Sequence, residues 1–127
     1  MNTDTFQYRL MELTALSGEF PADLLWRLGM GGSYGEKMIT RLKDERLLKT
    51  HYRDKLRGYR LSSVGKKALL AENPERFSFY LTGSSDTNQP RSEPPRRLRL
   101  HQTARTYQLL TAAGIEIFRD RKPNLFQ

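Results

Sequence analysis

Apolar positions in this chain fall into short runs of two different periods. Phe6, Leu10, Leu13 and Leu16 recur near the helical period, which predicts a helix over Thr5–Ser17. Asp4 and Gln7 have capping-box spacing before it, and Gly18 closes it. "GEF" offers a very short extended piece. "PADLLWRLG" carries Leu24, Leu25 and Leu28 between a starting Pro and a terminal Gly, the expected order for a second short helix. "GMGG" reads as a turn. Ser33 and Glu36 form a further capping box for a third helix, with Met38, Ile39 and Leu42 facing inward. Leu47 and Leu48 then lead into a strand, "DKLRG" is a turn and "YRL" a return strand. Ser62 caps a fourth helix that ends before Pro74.

Past Pro74 the pattern loosens. Phe77, Phe79 and Leu81 alternate in "ERFSFYL", which predicts an extended segment. "TGSSDTNQPRSEPP" (82–95) holds no large apolar residue besides proline, so a loop is expected there. It is longer than compact domains usually carry, hence mobile or functional. "RRLRLHQTARTYQLLTAAG" reads as a long helix with Leu100, Ala104 and Tyr107 on one face. "IEIF" alternates like a strand, and such an ending predicts that the natural chain continues beyond Gln127.

The fold class expected is therefore mainly α with a small β-hairpin: a winged helix-turn-helix plus a C-terminal helix. The expected parts are a domain over 5–81, a flexible loop over 82–95, and a helix with a short extended tail over 96–127. Specific residues carry the resemblance. "YRLSSVGKKAL" resembles the passage from the second wing strand into the following helix of winged-helix regulators. "LKDERLLKTHY" resembles the end of their recognition helix running into the wing. The similarity spans about residues 5–72. The Arg/His-rich "RRLRLHQTARTYQLL" followed by "GIEIF" resembles the amino-terminal half of replication-relaxation proteins of plasmids and conjugative elements.

Charge narrows the partner. The 127 residues hold 22 Lys and Arg against 14 Asp and Glu, a net charge of +8. Residues 31–73 carry 11 basic and 5 acidic side chains, whereas residues 1–30 carry 2 and 4. Such concentration suits a polyanionic partner. A solvated surface kept soluble by charge is the other reading of composition alone. There is no Cys, so neither a disulfide nor a thiolate metal site is available. No apolar run approaches the ~20 residues of a membrane helix, and "MNTDTFQYRL" lacks signal-peptide regions. A cytoplasmic protein without membrane association is expected.

Within the third helix, Tyr34, Lys37, Arg41 and Asp44 share a face opposite Ile39 and Leu42. A recognition helix presents such a face to the major groove. Lys37 and Arg41 would reach guanine edges or phosphates, with Ser33, Tyr34 and Thr40 as hydroxyl donors. In the hairpin, Lys49, His51 and Arg53 point one way on the two-residue period. Lys55 and Arg57 sit at the turn and Arg60 on the return. Cationic tips suit phosphate contact; charged edges also protect a sheet from aggregation. Arg97, His101 and Arg105 form a stripe on the last helix, either a second phosphate-contacting face or a solvated one. Both histidines read as surface residues, and no metal site is expected.

Enzyme readings find little support. No Cys nucleophile, phosphate loop, dinucleotide fingerprint or His-rich metal pattern is present. Tyr52 or Tyr107 as a strand-transfer nucleophile lacks every other part of such a site. The expectation is thus a non-catalytic, cofactor-free binder of double-stranded DNA, in transcriptional regulation or as an accessory factor in plasmid replication or transfer. A protein-interaction module, or a fragment of a larger replication-relaxation-type protein, is the alternative. The apolar face of the last helix suggests a homodimer if that helix does not fold back.

Overall fold

The computed structural model describes residues 5–28 and 32–118, with side chains 26–28 and 32 left outside the description. Asp4, the "GMG" of the expected turn, the Trp26 and Leu28 side chains and the tail from Arg119 lie outside the described residues.

The element order is α1 (Phe6–Ser17), β1 (Phe20–Pro21), a 3-10 helix (Ala22–Leu28), α2 (Gly32–Asp44), β2 (Leu48–Arg53), β3 (Leu56–Leu61), α3 (Ser63–Glu72), α4 (Pro74–Leu81) and α5 (Pro94–Ala112). The three strands form one antiparallel sheet in the order β1-β3-β2. The layout is mainly helical and winged-helix-like, with the β2–β3 hairpin following α2 in the place of a wing and α5 added after it.

α1 is the spine. The Thr5 hydroxyl caps it by accepting from the Tyr8 N–H at 3.2 Å. The expected stripe is buried, but so are Met11, Thr14, Ala15 and Ser17, because α2, α3, α4 and α5 all pack around this helix. Thr14 and Ser17 satisfy their hydroxyls by donating to the Leu10 and Leu13 carbonyls, both at 2.7 Å.

α2 buries Met38, Ile39 and Leu42 as expected. Ser33 does not flank this helix: Gly32 is already helical, so Ser33 sits inside the first turn. The C-terminus closes with Arg46 in the left-handed region (φ 62°). The Leu47 N–H bonds the Leu42 carbonyl and the Arg46 N–H bonds the Lys43 carbonyl, a Schellman closure. Ser62 ties this closure to α3. It donates to the Arg46 carbonyl and accepts from the Gly65 N–H. Gly65 is required there, since a Cβ would fall 2.2 Å from the Leu47 carbonyl oxygen.

The wing turn is tighter than the five residues expected. Arg53 pairs with Leu56, leaving only Asp54 and Lys55, both with positive φ (57° and 62°). That is a type I′ geometry, matched to strand twist.

Two expectations after Pro74 are corrected. "ERFSFYL" is the helix α4 rather than an extended segment. Asn73 accepts from the Arg76 N–H, Pro74 occupies the first turn, and Phe77, Tyr80 and Leu81 are buried while Phe79 is exposed. Residues 82–93 form the expected loop, in which Thr87 donates to the Tyr80 carbonyl at 2.9 Å and Asn88 to the Gly83 carbonyl at 2.6 Å. "IEIF" forms no strand; Ile117 and Phe118 are buried. Phe118 meets Phe77 edge-on at 6.1 Å beneath the Arg76 guanidinium.

Candidate nucleic-acid interface

Glu19 organises the charged part of the molecule. It sits between α1 and β1 and is fully buried. Its Oε1 accepts from Arg60 Nε at 2.7 Å and its Oε2 from Arg97 Nη2 at 2.8 Å, while His101 Nε2 also contacts Oε2. Burial alone would push the Glu19 carboxyl up. The hydrogen bonds from His101, Arg97 and Arg60 overcome it and hold the group down at about 2. Ionised Glu19 can only accept, so His101 Nε2 donates. Gly58 makes room: a Cβ there would stand 2.3 Å from Glu19 Oε2.

Both arginines also donate to backbone carbonyls. Arg97 donates to the carbonyls of Arg53 (2.9 Å), His51 (3.1 Å) and Leu56 (2.9 Å). It thereby holds both strands of the wing just below the turn. Arg60 donates to the Pro90 and Arg91 carbonyls at 3.1 and 3.2 Å, which pins the 82–93 segment to β3. These contacts correct the expectation for both residues. Arg60 and Arg97 are buried cations paired with Glu19 rather than exposed ones, and His101 is buried rather than on the surface.

Cross-strand pairing sorts the wing. Lys49, His51 and Arg53 oppose Arg60, Gly58 and Leu56, so they share the sheet face that holds Glu19. Lys49 and Arg53 are exposed at its margins. His51 is half-buried, and burial, then the Arg60 and Arg97 charges, lower its pKa. The other face carries Leu48, Tyr59 and Leu61 into the core. It continues past the core as Thr50, Tyr52 and Arg57, all exposed. The Arg57 guanidinium lies 5.0 Å over the Tyr52 ring.

On α2, Ser33, Tyr34, Lys37, Thr40 and Arg41 are all exposed. Tyr34 rests edge-on against Phe6, and Thr40 spends its hydroxyl proton on the Glu36 carbonyl at 3.0 Å. Lys37, Arg41 and Lys55 form no ion pair with another described residue, and the Arg53–Asp54 pair is long at 3.8 Å. Arg105, on α5, pairs with Asp23 at 3.0 Å on the surface.

Sequence reasoning missed Glu19, the burial of Arg97 and His101, and the outward face of Thr50 and Tyr52. A signal for the buried pair existed. Arg97 and His101 interleave with Leu100 and Ala104 at spacings of three and four, the side of α5 that packs on α1. That packing also covers the face on which a homodimer was expected: Leu100 and Ala104 are buried and Tyr107 is half-buried.

Among the described residues no helix is long and apolar enough to cross a membrane, and no cluster of metal-binding side chains occurs. No protein-family model, curated protein or solved structure matches this chain.

Proposed function

We propose that this protein is a non-catalytic binder of double-stranded DNA that uses α2 in the major groove and the wing tip on the backbone. The observation that carries the reading is the sorting of its cations. Buried Arg60 and Arg97 are matched to Glu19 and to carbonyls, while Lys37, Arg41, Lys55 and Arg57 are exposed at α2 and the wing tip. Lys37 and Arg41 stand one turn apart on α2, a spacing suited to base edges or neighbouring phosphates. Tyr52, stacked with Arg57, adds a ring that can lie along a sugar–phosphate ridge. The fitting cellular role is cytoplasmic: transcriptional control, or an accessory part in replication or transfer of a mobile element, as the replication-relaxation resemblance suggests.

Salt dependence tests it. Four phosphate contacts imply a log–log slope of affinity on salt of about −4. Anisotropy titrations of a duplex across a salt series should give it. A flat dependence, or no binding at low salt, would sink the reading and favour a protein partner for the same surface.

A further inference from the structure

A second charged feature lies away from the α2–wing surface. Between the end of α1, the base of the β2–β3 hairpin, the start of α3 and the 87–90 segment is a polar cavity of about 280 Å³, bordered by Thr14, Lys49, Arg60, Lys66, Thr87 and Asn88. No Asp or Glu is among the described residues that line it. Thr14 and Thr87 have spent their hydroxyl protons inward on Leu10 and Tyr80, and Asn88 one of its two amide protons on Gly83; Gln89 also lines the cavity. Every charged side chain of the lining is a cation. Lys66 donates to the Asn88 carbonyl, which leaves two ammonium protons. Lys49 makes no hydrogen bond or ion pair with a described residue. Arg60 has used three of its five donors.

We propose that this cavity is a binding site for a small phosphate-class anion, distinct from the DNA surface. Lysine ammoniums are compact charges on adaptable stems and suit a tetrahedral oxyanion. The volume, at the lower end of ligand pockets, fits inorganic phosphate or a small phosphorylated metabolite rather than a polymer. Electrostatics agree with the geometry. Burial, and then the neighbouring Lys49 charge, lower the Lys66 amine below its ordinary value; an anion between them relieves both. The site also sits on the segment that Arg60 and Lys66 pin down, so its occupant would tighten the 87–90 strap onto β3. The inference stands independently of the DNA reading.

The probe is inorganic phosphate, titrated into the full chain and followed by amide and lysine side-chain NMR. Saturable shifts should appear at Lys49, Lys66, Thr87 and Asn88, with a rise in the Lys66 amine pKa. Lys66→Gln and Lys49→Gln should each weaken binding at least tenfold, and Lys66→Arg should restore most of it at unchanged Tm. A saturating duplex should leave these signals in place. Shifts confined to α2 and the wing tip, displacement of phosphate by duplex DNA, or unaltered affinity in both Gln variants would overturn the site. A phosphorylated sugar binding tighter than inorganic phosphate would assign the occupant to metabolites; the reverse order would assign it to the free ion.

Discussion

Arg57 and Arg60 are three residues apart on one strand, yet they belong to opposite kinds of structure. Arg60 is buried on Glu19, fixed by a short charged bond and two backbone carbonyls. Arg57 is exposed and touches only the Tyr52 ring. The parity of the strand decides which is which, because alternate side chains leave a sheet on opposite faces. The first arginine shapes the wing, and the second is left available to a partner. Two groups of polar side chains thus stand apart: a buried scaffold (Glu19, Arg60, Arg97, His101) and an exposed cationic set on α2 and the wing tip.

The largest expected effect tests the scaffold. Arg97→Met removes one of the two arginines paired with Glu19 and the donor to three wing carbonyls. Removing one partner from a buried ion pair costs ~3–5 kcal/mol. Denaturant unfolding should show that loss at unchanged m-value, with the wing amides losing exchange protection first. A loss below about 1 kcal/mol would mean that water or another cation replaces Arg97, and the contrast with Arg57 would collapse.

Acid gives the next effect. Glu19 is held at about 2 in the fold against an ordinary value of 4.5. A carboxyl with a depressed folded pKa contributes stability that is complete above its unfolded pKa and disappears as pH falls through the folded one. The contribution, about 3 kcal/mol from this difference, should decline from about pH 5 to about pH 2. Unfolding measured across that window for the native chain and for Glu19→Gln should separate it, because the variant lacks this part of the acid sensitivity. Parallel pH curves for the two would show that Glu19 is not the charge centre.

How much of this was legible in the sequence follows the same division. Elements set by local chemistry were visible: the Ser62 cap, the inward face of α2 and the order that ends in a wing. The exposed candidates Ser33, Tyr34, Lys37, Thr40, Arg41, Lys55 and Arg57 could be placed by periodicity, because exposure on an amphipathic helix or at a turn is a local property. Arg60, Arg97 and His101 could not. Their burial depends on Glu19, which is 41, 78 and 82 residues away in the chain. An arginine bound for a buried carboxylate has the same composition and local spacing as one bound for a phosphate. "ERFSFYL" failed for another reason. Once Asn73 caps the segment and Pro74 starts it, Phe77 and Leu81 share the buried side of a short helix with Tyr80, while Phe79 faces out, so the alternation carried no strand.

The exposed set has its own test. Lys55→Ala with Arg57→Ala removes wing-tip charge and leaves the scaffold intact. DNA affinity at moderate salt should fall at least tenfold, about 1.4 kcal/mol, and the salt slope should flatten by about two units. The unfolding free energy should stay within about 0.5 kcal/mol, as for other surface changes. Adding Arg60→Ala should destabilise the fold sharply, since that residue belongs to the other group. If the double change lowered stability as much as the triple, the two sets of charge would not be separable.

The smallest effect is also the sharpest, because its two readouts are expected to have opposite signs. Lys55 occupies the second position of the type I′ turn at φ 62°, where glycine is the favoured residue and a side chain carries strain. A lysine there is poor for stability, and the chain tolerates it at the point of the wing farthest from the core. Lys55→Gly should relieve the left-handed strain, offset in part by the freedom glycine adds to the unfolded chain, for a net gain of about 0.5–1 kcal/mol. It should also remove one phosphate contact, which weakens DNA binding severalfold and flattens the salt slope by about 0.9. Thermal unfolding and anisotropy on the same sample read both quantities. A more stable variant that binds DNA less well would show that the wing tip carries its charge at a cost to the fold. A variant that gains stability and keeps its full affinity and salt slope would remove Lys55 from the interface, and with it the proposal that the wing tip meets the backbone.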